Sequence, residues 1–350
     1  MTANNSNKKR IGILTGGGDA PGLNGIIEST TRVLLQNNYE IIGIKDGFEG
    51  VFNEDSIPLS LERIRGYHAE AGSILGASNK SPIKGREKLF IEKFSKLNLH
   101  GLIAVGGDGT FSGLSHLQPR IKMIGLPKTI DNDLSGTEIT FGYDTACAVV
   151  SESVDALRAT AETHRRIIVV ETMGRTAGWI ALGGGLSSYS DVILLPERPF
   201  SKLALLDFVK KKKQEGQRGL MVVISEGAAA EGEEAQVAFK VLGSPQAERY
   251  GGVSQNLSRW LEAETGWESR NVVLGHLQRS RHPTTTDRFL TLAMGVEAAR
   301  LVQEDQWNHA VVYRAGRVQR APLDDLMGPA RLVNPQHHWV KLAESLGTFI

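Results

Sequence analysis

The sequence predicts an α/β protein with parallel-rich sheets flanked by helices, divided into two lobes. Three observations carry that expectation. Short apolar runs without polar alternation recur between stretches of helical spacing. Glycine- and acid-rich segments fall directly behind those runs. The 350 residues, 41% of them hydrophobic, are too many for one small core and suit two domains of ordinary size.

"RIGILT" reads as a buried strand, and "NGIIESTTRVLLQNN" repeats apolar residues at helical spacing. "EIIGIKD" is a second strand, and "GLIAVGG" and "KMIGLP" are two more with a short helix between them. "ACAVVSESVDALRATAETH" predicts a long helix, followed by the strands "RRIIVVETMG" and "RGLMVVISEG". Strands alternating with helices imply βαβ units whose sheets are covered on both faces. "EGAAAEGEEAQ" reads as a solvated loop, "VKKKKQEGQRG" as an exposed helix end, and "NPQHHWVKLAESLGTFI" as a closing helix.

The formal net charge of +1 gives no global attraction to nucleic acid or membrane, so an anionic ligand must be held by local clusters. No apolar stretch approaches the roughly 20 residues that span a bilayer. The polar start "MTANNSNKKR" has no apolar core and reads as a frayed tail instead of a signal peptide. Cys147 is the single cysteine, which excludes an intrachain disulfide and fits a reducing cytoplasm.

The unusual residues sit behind the strands, where ligands bind in open α/β sheets. "TGGGDAPGLN" (Thr15 to Asn24) stands between a strand and a helix, where glycines let backbone N–H groups approach phosphate. A tight turn capped by Asp19 is the plainer alternative. "GGDGT" (Gly106 to Thr110) is a second such turn, and its Asp108 can hold Mg²⁺ directly or through water. An ordinary Asp-Gly turn is the competing reading.

"PKTIDNDLSGT" places Lys128, Asp131 and Asp133 together behind an apolar run. Two carboxylates without a counter-charge repel one another. Beside a lysine and Mg²⁺, one can deprotonate a hydroxyl while the other supports the metal, as phosphoryl transfer requires. An acidic surface turn is the alternative. Downstream, Arg165, Arg166 and Arg175, then Arg270, His276 and Arg279, offer cations suited to phosphate. Taken singly, each is more often a surface charge, and a lone histidine more often a packing group than a ligand.

"GGDAPGLN", "GGDGT", "PKTIDND", "MGR" and "GHLQR" occur in one order that resembles the bacterial ATP-type phosphofructokinase superfamily, from about residue 10 to 300. The resemblance implies two Rossmann-like lobes with an active site in the cleft between them. The first would comprise residues 1–144 plus about 280–320, and the second 145–279 plus about 321–350. It also implies transfer of the γ-phosphoryl of ATP to the 1-hydroxyl of fructose 6-phosphate, with Mg²⁺.

Carried over by position, Asp131 looks like the general base, and Lys128, Thr129 and Arg175 like its catalytic company. Gly18, Asn79, Lys80, Gly107, Asp108, Gly109 and Thr110 would line the nucleotide. Asp108, supported by Asp133, would contact the metal. Met173, Gly174, Arg175 and Glu226 would hold the sugar, with Thr129, Ile130, Leu277 and Gln278 beside it. His276 and Arg279 would take its 6-phosphate. Arg166 and Arg270 would join them from a neighbouring subunit, in an assembly that is usually tetrameric.

Three positions depart from the usual pattern. "LGASNK" has Asn79 and Lys80 where an arginine and an aromatic are usual, so the usual cation is absent there unless Lys80 or Lys128 substitutes. Lys128 is typical of pyrophosphate-dependent members, whereas Gly109 leaves room for a nucleotide; together they resemble a mixed subgroup that uses ATP. Glu28 stands where effector-regulated members have arginine, which predicts weak control by ADP or phosphoenolpyruvate. A pyrophosphate-dependent enzyme and a non-catalytic sugar-phosphate sensor are the rival readings.

Overall fold

The computed structural model describes residues 8–78, 82–240 and 248–350. Its first five strands are β1 (Arg10–Thr15), β2 (Glu40–Ile44), β3 (Ser56–Leu59), β4 (Gly101–Gly106) and β5 (Met123–Pro127). Next come β6 (Ile167–Thr172), β7 (Val192–Leu194) and β8 (Leu220–Ser225). An antiparallel pair of β9 (Val237–Lys240), which is exposed, and β10 (Glu248–Tyr250), which is partly buried, precedes β11 (Ser269–Val273). The chain closes with β12 (His309–Arg314) and β13 (Arg317–Pro322).

These strands make a seven-stranded sheet of order β13-β12-β5-β4-β1-β2-β3 and a four-stranded sheet of order β11-β6-β8-β7. The smaller sheet is parallel throughout. In the larger, only the edge strands β3 and β13 run antiparallel to their neighbours. Residues alternate between faces along a strand, and in the central strands both faces are dry. Leu102 and Ala104 of β4 join one core cluster, while Ile103 and Val105 join the cluster on the opposite side. In β6, Ile168 and Val170 face one cluster, and Ile167 and Val169 the other. That double coverage explains why the strands read as unbroken apolar runs.

Helix Leu23–Gln36 buries Leu23, Ile26, Ile27 and Leu34, which recur at helical spacing. It lies tightly against helix Thr285–Gln303: a Cβ on Gly295 would stand 1.9 Å from Ser29 Oγ. Helices Tyr143–His164, Trp179–Ser187 and Val253–Thr265 each begin behind a glycine whose side cannot cap them. A carboxylate from elsewhere in the chain does so instead. Asp287 accepts the N–H groups of Gly142 and Thr145 at 2.8 and 2.9 Å. Glu171 accepts those of Gly252 and Ser254 at 3.1 and 2.9 Å, and Glu197 accepts that of Gly178. These acids supply what the helix N-termini lack. Among the described residues, no helix is long and apolar enough to cross a membrane.

Candidate active site

The carboxyl ends of six parallel strands deliver the singled-out segments. β1 leads to Gly16–Asp19, β4 to Gly107–Thr110 and β5 to Lys128–Asp133. From the second sheet, β6 leads to Met173–Arg175, β8 to Glu226 and β11 to Leu274–Arg279. Hydrogen bonds tie the two sets together. Arg279 Nη1 donates to the Asp19 carbonyl at 2.9 Å, and its guanidinium stands 3.8 Å from the Asp19 carboxylate. Asp19 therefore anchors Arg279 and caps no helix. The helix N-cap is Gly22.

The turn after β5 is buried, which rejects the reading of an acidic surface loop. Lys128 is 4% and Asp131 8% exposed. Lys128 Nζ donates to the Gly18 carbonyl, bridging the turns behind β5 and β1. Burial, then the charge of Arg279, pushes the Lys128 ammonium down to about 8, against the pull of Asp131, Asp19 and Asp133. Asp131 Oδ1 is buried without a hydrogen-bond partner. Asn132, between the two aspartates, has φ 54°, a left-handed conformation that side chains adopt at a cost. Its Oδ1 accepts the Thr140 N–H at 2.9 Å, and the Asp131 N–H donates to Thr129 Oγ1 at 3.1 Å.

Two further acids answer to Asp131. Asp133 is pushed up to about 7 by burial first and then by the charges of Asp131 and, more weakly, Asp108. Glu226 is likewise pushed up to about 7, by burial and then by Asp131. Glu226 Oε1 accepts the Arg175 N–H at 3.0 Å, and Arg175 also has a left-handed φ of 54°. The fit is close: a Cβ on Gly227 would meet the Arg175 carbonyl at 1.8 Å. Met173 N–H donates to Gln278 Oε1 at 3.3 Å, which links the segments behind β6 and β11. His276 stands just before the short helix Leu277–Ser280 without a side-chain capping bond; on that helix Gln278 is buried and Leu277 is 63% exposed.

Gly109 and Asp108 are exposed at the head of helix Asp108–Ser115, and a Cβ on Gly109 would meet nothing within 4 Å. Thr110 is buried behind them, against Gly16 and Gly106. A cavity of about 560 Å³ opens beside the first glycine turn, lined by Gly17, Gly18, Asp19, Asp46, Glu49 and Ser78 among others. Asn79 and Lys80 lie outside the described residues.

Two expected contacts stand apart from this cluster. Arg166 precedes β6 and Arg270 lies near the start of β11, at the opposite strand ends. At about 3.3 Å per residue, that end is roughly 15–20 Å away. Both arginines converge on Glu268, Arg166 at 2.9 Å. They are out of reach of this chain's own cleft.

Mg²⁺ keeps several waters and is usually held by one or two carboxylates plus substrate phosphates. Among the described residues, no three His, Cys, Asp or Glu side chains converge closely enough to hold a metal alone. Asp133, which feels the charge of Asp108, together with the orphaned Asp131 Oδ1, fits that sparse mode of binding.

Sequence reasoning missed the residues that hold the site from behind. Arg331 donates to the Asn132 carbonyl, and Glu197, Glu171 and Asp287 cap helices around the cleft. None belongs to a motif, and only a signal of paired long-range contact could have exposed them. Glu28 is 3% exposed, and its carboxylate accepts from Arg32, from the His68 ring and from the N–H groups of Gly66 and His68. Burial raises its pKa, but these hydrogen bonds together outweigh burial and hold it below the usual range.

A family model described as Phosphofructokinase matches residues 10–302. An ATP-dependent 6-phosphofructokinase 2 of Clostridium perfringens is 37% identical, covering 97% of both chains. A pyrophosphate–fructose 6-phosphate 1-phosphotransferase of Streptomyces coelicolor is 36% identical, covering 97% of this chain and 99% of its own. The phosphofructokinase structure from Saccharomyces cerevisiae superposes with a TM-score of 0.78 at 25% identity. It aligns with 97% of this chain, which spans 46% of that longer one.

The depressed Lys128 makes a prediction for the ligand-free protein. Its folded value of about 8 lies below the unfolded 10.5, so between them the unfolded chain binds the extra proton and stability rises with pH. Below pH 8 the cost of the buried ammonium is fully present. Relative to Lys128→Met, the wild type should gain up to about 3 kcal/mol between pH 8 and 10.5. Urea unfolding of both proteins across that range checks this, and parallel stability curves would refute it.

Proposed function

The chain belongs to the phosphofructokinase family, and from that premise we propose that it transfers the γ-phosphoryl of ATP to the 1-hydroxyl of fructose 6-phosphate. The observation that carries the reading is Asp131: a buried carboxylate with one oxygen unpartnered, beside a buried lysine and two acids whose proton affinity it raises.

In this mechanism Asp131 accepts the proton of the sugar 1-hydroxyl. Lys128, which already reaches the glycine turn at Gly18, and Arg175 face the negative charge of the transferring group. Thr129, whose Oγ1 takes the Asp131 N–H, fixes the base beneath it. Gly107, Gly109 and Thr110 offer the N-terminus of a helix to the nucleotide phosphates, with Gly18 opposite. Asp108 and Asp133 would hold Mg²⁺, which supplies charge neutralisation of the polyphosphate. Glu226, Met173 and Gly174 bind the sugar, with Ile130 and Gln278 behind it, while His276 and Arg279 take its phosphate.

Arg166 and Arg270, at the far strand ends, serve the cleft of another copy, which makes the working unit at least a dimer. The lobes divide near residues 144, 280 and 320, and the protein works in the cytoplasm. Gly109 favours ATP because the space a side chain would fill is open to the nucleotide. Control by phosphoenolpyruvate or ADP is weak, because Glu28 already occupies the guanidinium of Arg32 and the backbone donors of Gly66 and His68.

Removal of a positioned base costs about 10²- to 10⁴-fold. Asp131→Asn should therefore lose at least 100-fold in kcat while fructose 6-phosphate still binds; near-normal turnover would end the assignment. Wild-type turnover measured with ATP, ADP and pyrophosphate should be highest with ATP. Gly109→Asp, tolerated sterically, should weaken ATP use and shift preference toward pyrophosphate; unchanged nucleotide use would refute the role of that space. Added phosphoenolpyruvate should leave the sugar saturation curve in place, and a large displacement would contradict the account of Glu28.

A further inference from the structure

Residues 328–337 carry neither helix nor strand, between the 3₁₀ turn Leu323–Met327 and helix His338–Ser345. Arg331, within this segment, reaches in two directions. Toward the β5 turn, its backbone N–H donates to the Asp133 carbonyl at 2.6 Å and its Nη2 to the Asn132 carbonyl at 2.9 Å. On the other side, its guanidinium lies 4.1 Å from the Trp179 ring centroid, and Trp179 Nε1 donates to the Arg331 carbonyl at 2.8 Å. Two residues later, the Val333 N–H donates at 2.8 Å to Glu197, the acid that also caps the helix beginning at Trp179.

The turn held in this way is the one that most needs holding. Asn132 has a left-handed φ of 54° and stands between both aspartates. From inside, Thr140 N–H and Oγ1 donate to its side chain at 2.9 and 3.3 Å. From outside, only Arg331 among the described residues has a hydrogen bond to the Asn132 and Asp133 carbonyls. A misplacement of about 1 Å at a reacting group can cost on the order of 100-fold in rate.

We propose that Arg331 is a positioning residue for the reaction: it clamps the Asn132–Asp133 backbone against Trp179, so that the carboxylates on either side of Asn132 hold their aim. Arg331 touches no reacting atom. The proposal rests on the phosphotransferase reading above, and it makes the 328–337 segment a strap from the β5 turn to a helix of the second sheet.

The test compares wild type, Arg331→Lys, Arg331→Met and Trp179→Phe, with ATP and fructose 6-phosphate kinetics, sugar-phosphate calorimetry and thermal melts. In Arg331→Met, kcat should fall about 10- to 100-fold while sugar-phosphate affinity stays within about threefold of wild type. Arg331→Lys keeps a charged donor and should recover at least about fivefold of that loss. Trp179→Phe keeps a smaller aromatic ring under the guanidinium but removes the bond to the Arg331 carbonyl, and should lower kcat about two- to fivefold.

A purely structural arginine would lower the melting temperature and move neither the kcat-to-KM split nor the lysine rescue. A folded Arg331→Met with kcat within about twofold of wild type overturns the proposal, as does equal loss in the lysine and methionine variants. Should Arg331→Met fail to fold, normal kcat in both Arg331→Lys and Trp179→Phe overturns it. Wild-type protein inactive with every donor would instead overturn the phosphotransferase reading, an outcome the wild-type control alone reveals.

Discussion

The site depends on bringing Asp131 into a place from which water is excluded and surrounding it with groups that can answer its charge. Two like charges about 4 Å apart cost about 4 kcal/mol at the effective dielectric of a protein near its surface, so a cluster of acids cannot all stay ionised there. The structure sorts them. Burial and the charge of Asp131 push Asp133 and Glu226 to about 7, while the ammonium of Lys128, driven down by burial and Arg279, is pulled back by Asp131, Asp19 and Asp133. A bound cation and polyphosphate would shift this balance, which ties the charge state of the site to its occupancy.

That arrangement is possible because parallel strands end together. β1, β4 and β5 lie side by side in the larger sheet, and β6, β8 and β11 in the smaller one, so segments far apart in sequence converge without long loops. The same geometry excludes Arg166 and Arg270. They flank the opposite ends of β6 and β11, and no side chain spans the length of a strand. A cation at the wrong end of a sheet cannot reach the cleft that the same chain builds at the other end.

How much was legible in the sequence follows from what each element buries. β1, β4, β5, β6 and β8 are covered on both faces and so appear as unbroken apolar runs. β7 has three residues, too few for any period, and β11 and β13 mix exposed charges with partly buried positions. β3 carries a proline, which is tolerated because it is an edge strand. The motif residues at the strand ends were readable because glycine and acid are unusual directly behind an apolar run. Arg331 was not, because its task is defined by two carbonyls 198 or more positions earlier in the chain, and a backbone carbonyl leaves no mark on sequence.

The helix-capping acids make the same point from the side of stability. Gly142 and Gly252 take left-handed φ values of 93° and 84°, which turn the chain sharply into a helix but leave its first N–H groups without a local side-chain acceptor. Asp287 and Glu171 fill that need from 145 and 81 residues away. Asp287 is fully buried, and burial pushes it to about 6 although three hydrogen bonds from Thr145 and Gly142 pull it down. Each cap therefore carries a desolvation cost that a local serine or aspartate at the surface would not. What the cost secures is connection: the Tyr143–His164 helix, which follows the turn behind β5, is pinned to the Thr285–Gln303 helix, and the Val253–Thr265 helix is pinned to the end of β6. A site assembled from six strand ends needs its helices fixed to one another as well as to their own strands, and buried carboxylates reaching across the chain accomplish both at once.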